Sequence, residues 1–159
     1  MRIKTTDLCD DYSNELSICK QPFTFYGRKK AFAGPISTVR VLEDNVLVKE
    51  SLETIPEGHI LVVDGHASRN CALMGDRLAG IIKDRNLAGV IIYGCIRDTA
   101  NIAQMDVGVL ALGTNPIKSN KKGEGEKDIT LDFGEVSWTP GNFAYADEDG
   151  IVLSERKLI

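Results

Sequence analysis

The chain has 159 residues, 43% of them hydrophobic and 26% charged, with a formal net charge of −4. That length and apolar content build one domain, residues 1–159, with a sizeable core. The acidic balance, with no Lys/Arg stripe interleaved with aromatics, argues against direct nucleic-acid binding.

Apolar periodicity and glycine punctuation predict a helix over 6–15, a strand over 36–41, a helix over 44–54 and a strand over 60–63. A helix follows over 72–86, where Leu78, Ile81, Ile82 and then Leu87 recur at helical spacing. Gly89-Val-Ile-Ile-Tyr-Gly94 is a short apolar run bounded by glycines and reads as a buried strand over 90–93. Strands over 107–112, 129–133 and 151–153 complete an α/β domain with no internal repeat. Between them, Lys118-Ser-Asn-Lys-Lys-Gly-Glu-Gly-Glu-Lys-Asp128 reads as a solvated loop whose spacing matches no phosphate-binding loop.

The chemistry concentrates around the helix and strand of 72–98. Asp76 follows Gly75 near the predicted helix start, where an Asp caps the first turn and free N–H groups face an anion. After twenty intervening residues Arg97-Asp98 lies at the end of the next strand, and in α/β folds ligand groups collect at such strand ends and helix starts. Arg suits bidentate capture of a carboxylate, and Asp is a hard oxygen ligand for Mg²⁺ or Mn²⁺. Zinc has no ligand set, because His59 and His66 lack partners at ligand spacing and Cys9, Cys19, Cys71 and Cys95 are unpaired in sequence. These cysteines are expected to stay reduced, with Cys95 packed rather than nucleophilic, and Trp138 and Tyr145 belong to the core or to subunit contacts. A cation beside Arg97 suits enolate formation from an α-keto acid.

Gly75-Asp76-Arg77-Leu78, Tyr93-Gly-Cys-Ile-Arg-Asp98 and Gly108-Val-Leu-Ala-Leu-Gly-Thr-Asn-Pro116 together resemble the 4-hydroxy-4-methyl-2-oxoglutarate aldolase family, which also contains the regulators of ribonuclease E activity. The likeness runs through Thr6-Asp-Leu-Cys-Asp10, Gly34-Pro-Ile-Ser-Thr-Val39, Leu61-Val-Val-Asp-Gly65, Pro140-Gly141 and Ala146-Asp-Glu-Asp-Gly-Ile-Val152. The resemblance implies a swivelling β/β/α-type fold and a metal-dependent lyase that cleaves 4-hydroxy-4-methyl-2-oxoglutarate to two pyruvates and decarboxylates oxaloacetate, both through pyruvate enolate. It implies that Asp98 holds Mg²⁺ or Mn²⁺, that Asp76 approaches the ion through bound water, and that Arg97 binds the pyruvyl group. The backbone of Gly75, Asp76, Arg77 and Leu78 would cradle the substrate carboxylate. It further implies a homotrimer or hexamer with the cleft between subunits.

Two positions depart from the family pattern: Asn101, where some members carry an acid, and Asn142, where Asp is common. The alternative reading is a non-enzymatic inhibitor of ribonuclease E acting through protein contacts, although regulators of that branch tend to have lost the acid that Asp98 keeps. No run of about eighteen apolar residues exists and Met1-Arg-Ile-Lys-Thr-Thr-Asp7 lacks a signal-peptide core, so a cytoplasmic protein without membrane attachment is expected.

Overall fold

The computed structural model describes residues 2–159. In chain order its elements are α1 (Thr5–Tyr12), β1 (Ser17–Ile18), β2 (Thr24–Phe25), β3 (Phe32–Arg40), α2 (Val46–Thr54), β4 (Ile60–Asp64), β5 (Ala72–Met74), α3 (Asp76–Asp84) and β6 (Gly89–Ile96). They continue with α4 (Thr99–Ile102), β7 (Val109–Thr114), β8 (Glu126–Lys127), β9 (Leu131–Phe133), β10 (Val136–Trp138), β11 (Phe143–Asp147) and β12 (Gly150–Ser154). The main sheet runs β1-β12-β11-β3-β4-β6-β7-β2, with β5 added to β6 and β8 to β3, while β9 and β10 form a separate hairpin. The α/β class expected from the sequence is the one observed.

The centre of the sheet, β3-β4-β6-β7, is parallel, and its strands are apolar on both faces because both faces are covered. On one face Val39, Val63, Val90 and Ile92 pack against α2 and α3 through Leu52, Ala79 and Ile82. On the other, Ile36, Val62 and Ile91 meet the β9–β10 hairpin through Leu131, Phe133 and Trp138. Trp138 is fully buried and donates its indole N–H to the Phe133 carbonyl at 3.1 Å, and the equally buried Tyr145 hydroxyl accepts the Leu158 N–H at 2.7 Å. Both are core residues.

The predicted helix over 72–86 is corrected at its start. Ala72–Met74 is a strand, with Ala72 opposite Cys95 and Met74 opposite Ile96, and the helix begins at Asp76. Cys71 to Met74 is buried on every side, which suits a strand between β6 and the 117–118 segment, and Gly75 then takes an extended conformation (φ −123°, ψ −161°) that no helix accommodates. This correction positions the site. Because β5 lengthens the sheet beyond the end of β4, the exits of β5 and β6 lie side by side, and the Arg97 N–H donates to the Met74 carbonyl at 2.9 Å.

The loop predicted over 118–128 is also corrected in part. Most of it is exposed, but Ser119 is buried, and the segment is strapped to the β3–α2 junction by the buried carboxylate of Asp44. No helix among the described residues is long and apolar enough to cross a membrane.

Candidate active site

The strand-end geometry brings Gly75, Asp76, Arg97 and Asp98 together across the twenty residues that separate them in sequence. Asp98 leaves β6 in the left-handed conformation (φ 58°, ψ 37°), a backbone state that costs a non-glycine residue about 1 kcal/mol and clusters at functional positions. From there its Oδ2 accepts the Asp76 N–H at 3.1 Å. The capping assigned to Asp76 from sequence therefore falls to Asp98: Gly75 is the cap position, and no side chain of its own closes the helix end. Gly75 is required by this approach, since a Cβ there would collide with Asp98 Oδ2.

Asp76 faces three donors or partners. The Asn101 amide, which donates from Nδ2 to Oδ2 at 2.9 Å, is the foremost influence holding its carboxyl below the ordinary carboxylate range. Partial burial opposes this, while contact with the Asp98 side chain and the Arg77 N–H adds to it. Asn101 was legible only as a departure from the family pattern. Its contact follows from the start of α4, where a residue three beyond Asp98 turns back over the same side.

Arg97 is half-buried, and its Nη1 lies 3.5 Å from the Pro116 carbonyl, a long contact. Among the described residues it forms no ion pair, so its donors are available to an anion. Leu78 is half-buried and packs its side chain against the core, and the Arg77 side chain is exposed, so what these two residues bring to the site is the N–H groups of the first turn of α3.

The remaining sequence candidates lie apart from this constellation or are occupied. His59 Nδ1 is 2.8 Å from the Ser37 hydroxyl, and His66 is exposed. Cys95 is fully buried, which fits packing, and all four cysteines are free thiols. A separate cavity of about 1080 Å³, lined among others by Glu15, Asp132, Glu135, Asn142 and Arg156, contains none of the predicted site residues.

A divalent cation fits the residues present. Two carboxyl groups in contact carry mutually unfavourable charge unless a proton or cation lies beside them. No group of three or more acid, His or Cys ligands is assembled among the described residues. Two such carboxyl groups are oxygen donors of the kind a hard divalent cation accepts, with its remaining oxygens drawn from water and substrate.

Residues 5–153 match the family model described as RraA-like, Aldolase/RraA. A Bacillus anthracis protein named "Putative 4-hydroxy-4-methyl-2-oxoglutarate aldolase" is 55% identical over 155 residues, 98% of each chain. An Aromatoleum aromaticum protein of the same name is 50% identical over the full length of both. Among solved structures, a Geobacillus kaustophilus protein described as an S-adenosylmethionine:2-dimethylmenaquinone methyltransferase is 57% identical with a TM-score of 0.97, covering 98% of this chain and 97% of that one. The RNA-processing inhibitor RraA of Thermus thermophilis is 40% identical with a TM-score of 0.95, covering 100% and 96%.

Proposed function

The chain belongs to the RraA-like, Aldolase/RraA family, and from that premise we propose that it is a divalent-metal-dependent pyruvate aldolase. Its substrate would be 4-hydroxy-4-methyl-2-oxoglutarate, cleaved to two pyruvates, with oxaloacetate decarboxylated at the same site. Its relatives carry three different names, and the two with solved structures share its backbone closely, so the choice between the names falls to side chains. The observation that carries the reading is the meeting of Asp76, Asp98 and an unpaired Arg97 at one helix start.

Asp98, supported by Asp76, would hold Mg²⁺ or Mn²⁺, and that ion would supply Lewis-acid stabilisation of the enolate charge. Arg97 binds the carboxylate of the pyruvyl group through its planar fork of donors, and the N–H groups at the start of α3 share that anion. Asp76 is ionised at neutral pH and accepts the proton of the 4-hydroxyl, directly or through one water. The C3–C4 bond breaks, its electron pair passes into pyruvate enolate, and protonation of that enolate gives the second pyruvate. Oxaloacetate instead loses CO₂ to leave the same enolate, with no hydroxyl proton to remove.

The assembly that goes with this reading is a homotrimer or hexamer in the cytoplasm, with the cleft between subunits. A second reading, inhibition of ribonuclease E by protein contact, is favoured by the 40% identity to the Thermus protein described as an RNA-processing inhibitor. The test is pyruvate release from both keto acids with Mg²⁺ or Mn²⁺ and again with EDTA, for wild type and Asp98→Ala. Metal-dependent turnover abolished in the variant is the expected result. No turnover by wild type on either substrate would shift the assignment to the inhibitor.

A further inference from the structure

We propose that Arg69 is a specificity-determining residue that takes the distal carboxylate of a keto diacid while Arg97 takes the pyruvyl end. The inference rests on the keto-acid reading of the site. Arg69 belongs to the turn between β4 and β5. Its carbonyl accepts the Asn115 Nδ2–H at 2.5 Å, and Asn115 donates its own N–H to the Ile96 carbonyl at 3.0 Å, so the turn is tied to the exits of β6 and β7. The guanidinium lies against Gly113 of β7, where a Cβ would stand 2.5 Å from Nη1 and 3.9 Å from Cys95 Sγ. Glu43, the acid that holds this turn, is engaged by Ser68 and Asn70 on either side of Arg69, at 2.6 and 2.8 Å. Arg69 itself forms no ion pair among the described residues.

Arg97 shares that face. Cys95 is the cross-strand partner of Gly113, and the ladder continues past it, since the Ile96 carbonyl accepts from Asn115 and the Arg97 N–H donates to Met74. Side chains two residues apart on an extended strand point to one face, about 7 Å from each other. The strand exits therefore present two uncompensated guanidiniums on one face, one against Gly113 and one 3.5 Å from the Pro116 carbonyl. Neighbouring like charges favour an anion with two charged ends, and a C5 keto diacid spans a comparable length. The two reactions use its distal carboxylate differently. In aldol cleavage that group leaves unchanged on the pyruvate formed from C4, so its contact with Arg69 persists through bond breaking. In decarboxylation it becomes CO₂ and its charge passes to the enolate, so the contact is held in the bound substrate and lost at the transition state.

Arg69 is exposed, so its truncation leaves a folded protein. The experiment is calorimetric binding, with Mg²⁺, of pyruvate and of 2-oxoglutarate, a C5 keto diacid without the hydroxyl that cleavage needs. In Arg69→Ala the Kd of 2-oxoglutarate should rise about tenfold and that of pyruvate stay within about twofold, with Arg69→Lys between wild type and Arg69→Ala. Kinetics should split the same way: kcat/KM for 4-hydroxy-4-methyl-2-oxoglutarate falls about tenfold, whereas kcat and KM for oxaloacetate rise together and leave their ratio within about twofold. An unchanged 2-oxoglutarate Kd, or equal weakening of both ligands, would overturn the proposal while leaving the keto-acid site intact. Wild type that binds neither ligand and turns over neither substrate would overturn the keto-acid reading and this inference with it.

Discussion

Asp44 and Asp98 both sit where a strand gives way to a helix, and they have opposite fates. Asp44 is only 3% exposed and accepts backbone N–H groups from Val46 at 3.0 Å, Lys122 at 2.8 Å and Glu124 at 3.3 Å. Burial raises its pKa, but these bonds and one from Gly123 together outweigh burial and hold the carboxyl below its ordinary value. Asp98 is exposed, accepts a single backbone N–H from Asp76, and lies against a second carboxyl. The difference is one of saturation. A carboxylate whose lone pairs are met by its own chain holds a loop, whereas one met by a single donor keeps capacity for a cation.

The contrast breaks if exchanging either residue gives the other's phenotype. Asp98→Ala should lower turnover of both keto acids by at least about 10³-fold. Because it removes one helix cap worth about 1 kcal/mol, Tm should fall by only about 2–4 °C in calorimetry. Asp76→Asn separates the two reactions: aldol kcat should drop about 10²-fold while decarboxylation changes by no more than about threefold. Equal losses would remove Asp76 from proton transfer.

Asp44→Ala should do the reverse of Asp98→Ala. Leaving buried N–H groups unpaired costs about 2 kcal/mol, or about 4–8 °C in Tm, with kcat at 25 °C unchanged. The pH dependence has a definite sign. A depressed folded-state pKa means that the stabilisation is fully present above the ordinary aspartate value of 3.8 and is lost as pH falls through the folded value. The gap in urea stability between wild type and Asp44→Asn should therefore be level near neutrality and close as pH drops below 3.8. A gap that widened in acid would refute the strap.

Periodicity made the core parallel strands and the amphipathic α3 legible, since 60–63 and 90–93 are short apolar runs bounded by polar or glycine residues. It failed at β5, three residues long, where an apolar run flowing into a helix cannot be told from the helix itself. It also missed β11, whose alternation of Phe143, Tyr145 and small alanines carries little signal. Asp76, Arg97 and Asp98 could be gathered from their places at element ends. Asp44 could not, because its partners at Lys122 and Glu124 lie 78 and 80 residues away and contribute only backbone atoms. The cap role was misassigned for the same reason: the donor–acceptor pair of Asp76 and Asp98 spans 22 residues, and local capping rules consider only a helix's own flank.

The smallest predicted effect is also the most selective. Gly75 has ordinary extended backbone, so alanine meets no conformational strain there, and the unfolded chain loses a little freedom. The new Cβ collides with Asp98 Oδ2, the free end of a side chain, while its next neighbours, Arg97 Cγ and Asp98 Cγ, stand at 3.5 Å. The carboxylate can swing aside, so the fold pays nothing and the disturbance falls wholly on the position of the oxygen proposed to bind the cation. Gly75→Ala should thus keep wild-type Tm within about 2 °C yet weaken Mn²⁺ binding about tenfold, raising the metal concentration needed for both reactions equally. Unchanged Mn²⁺ affinity would mean that Asp98 does not hold the ion in the orientation it has beside Asp76, and the unsaturated carboxylate would lose its distinction from Asp44.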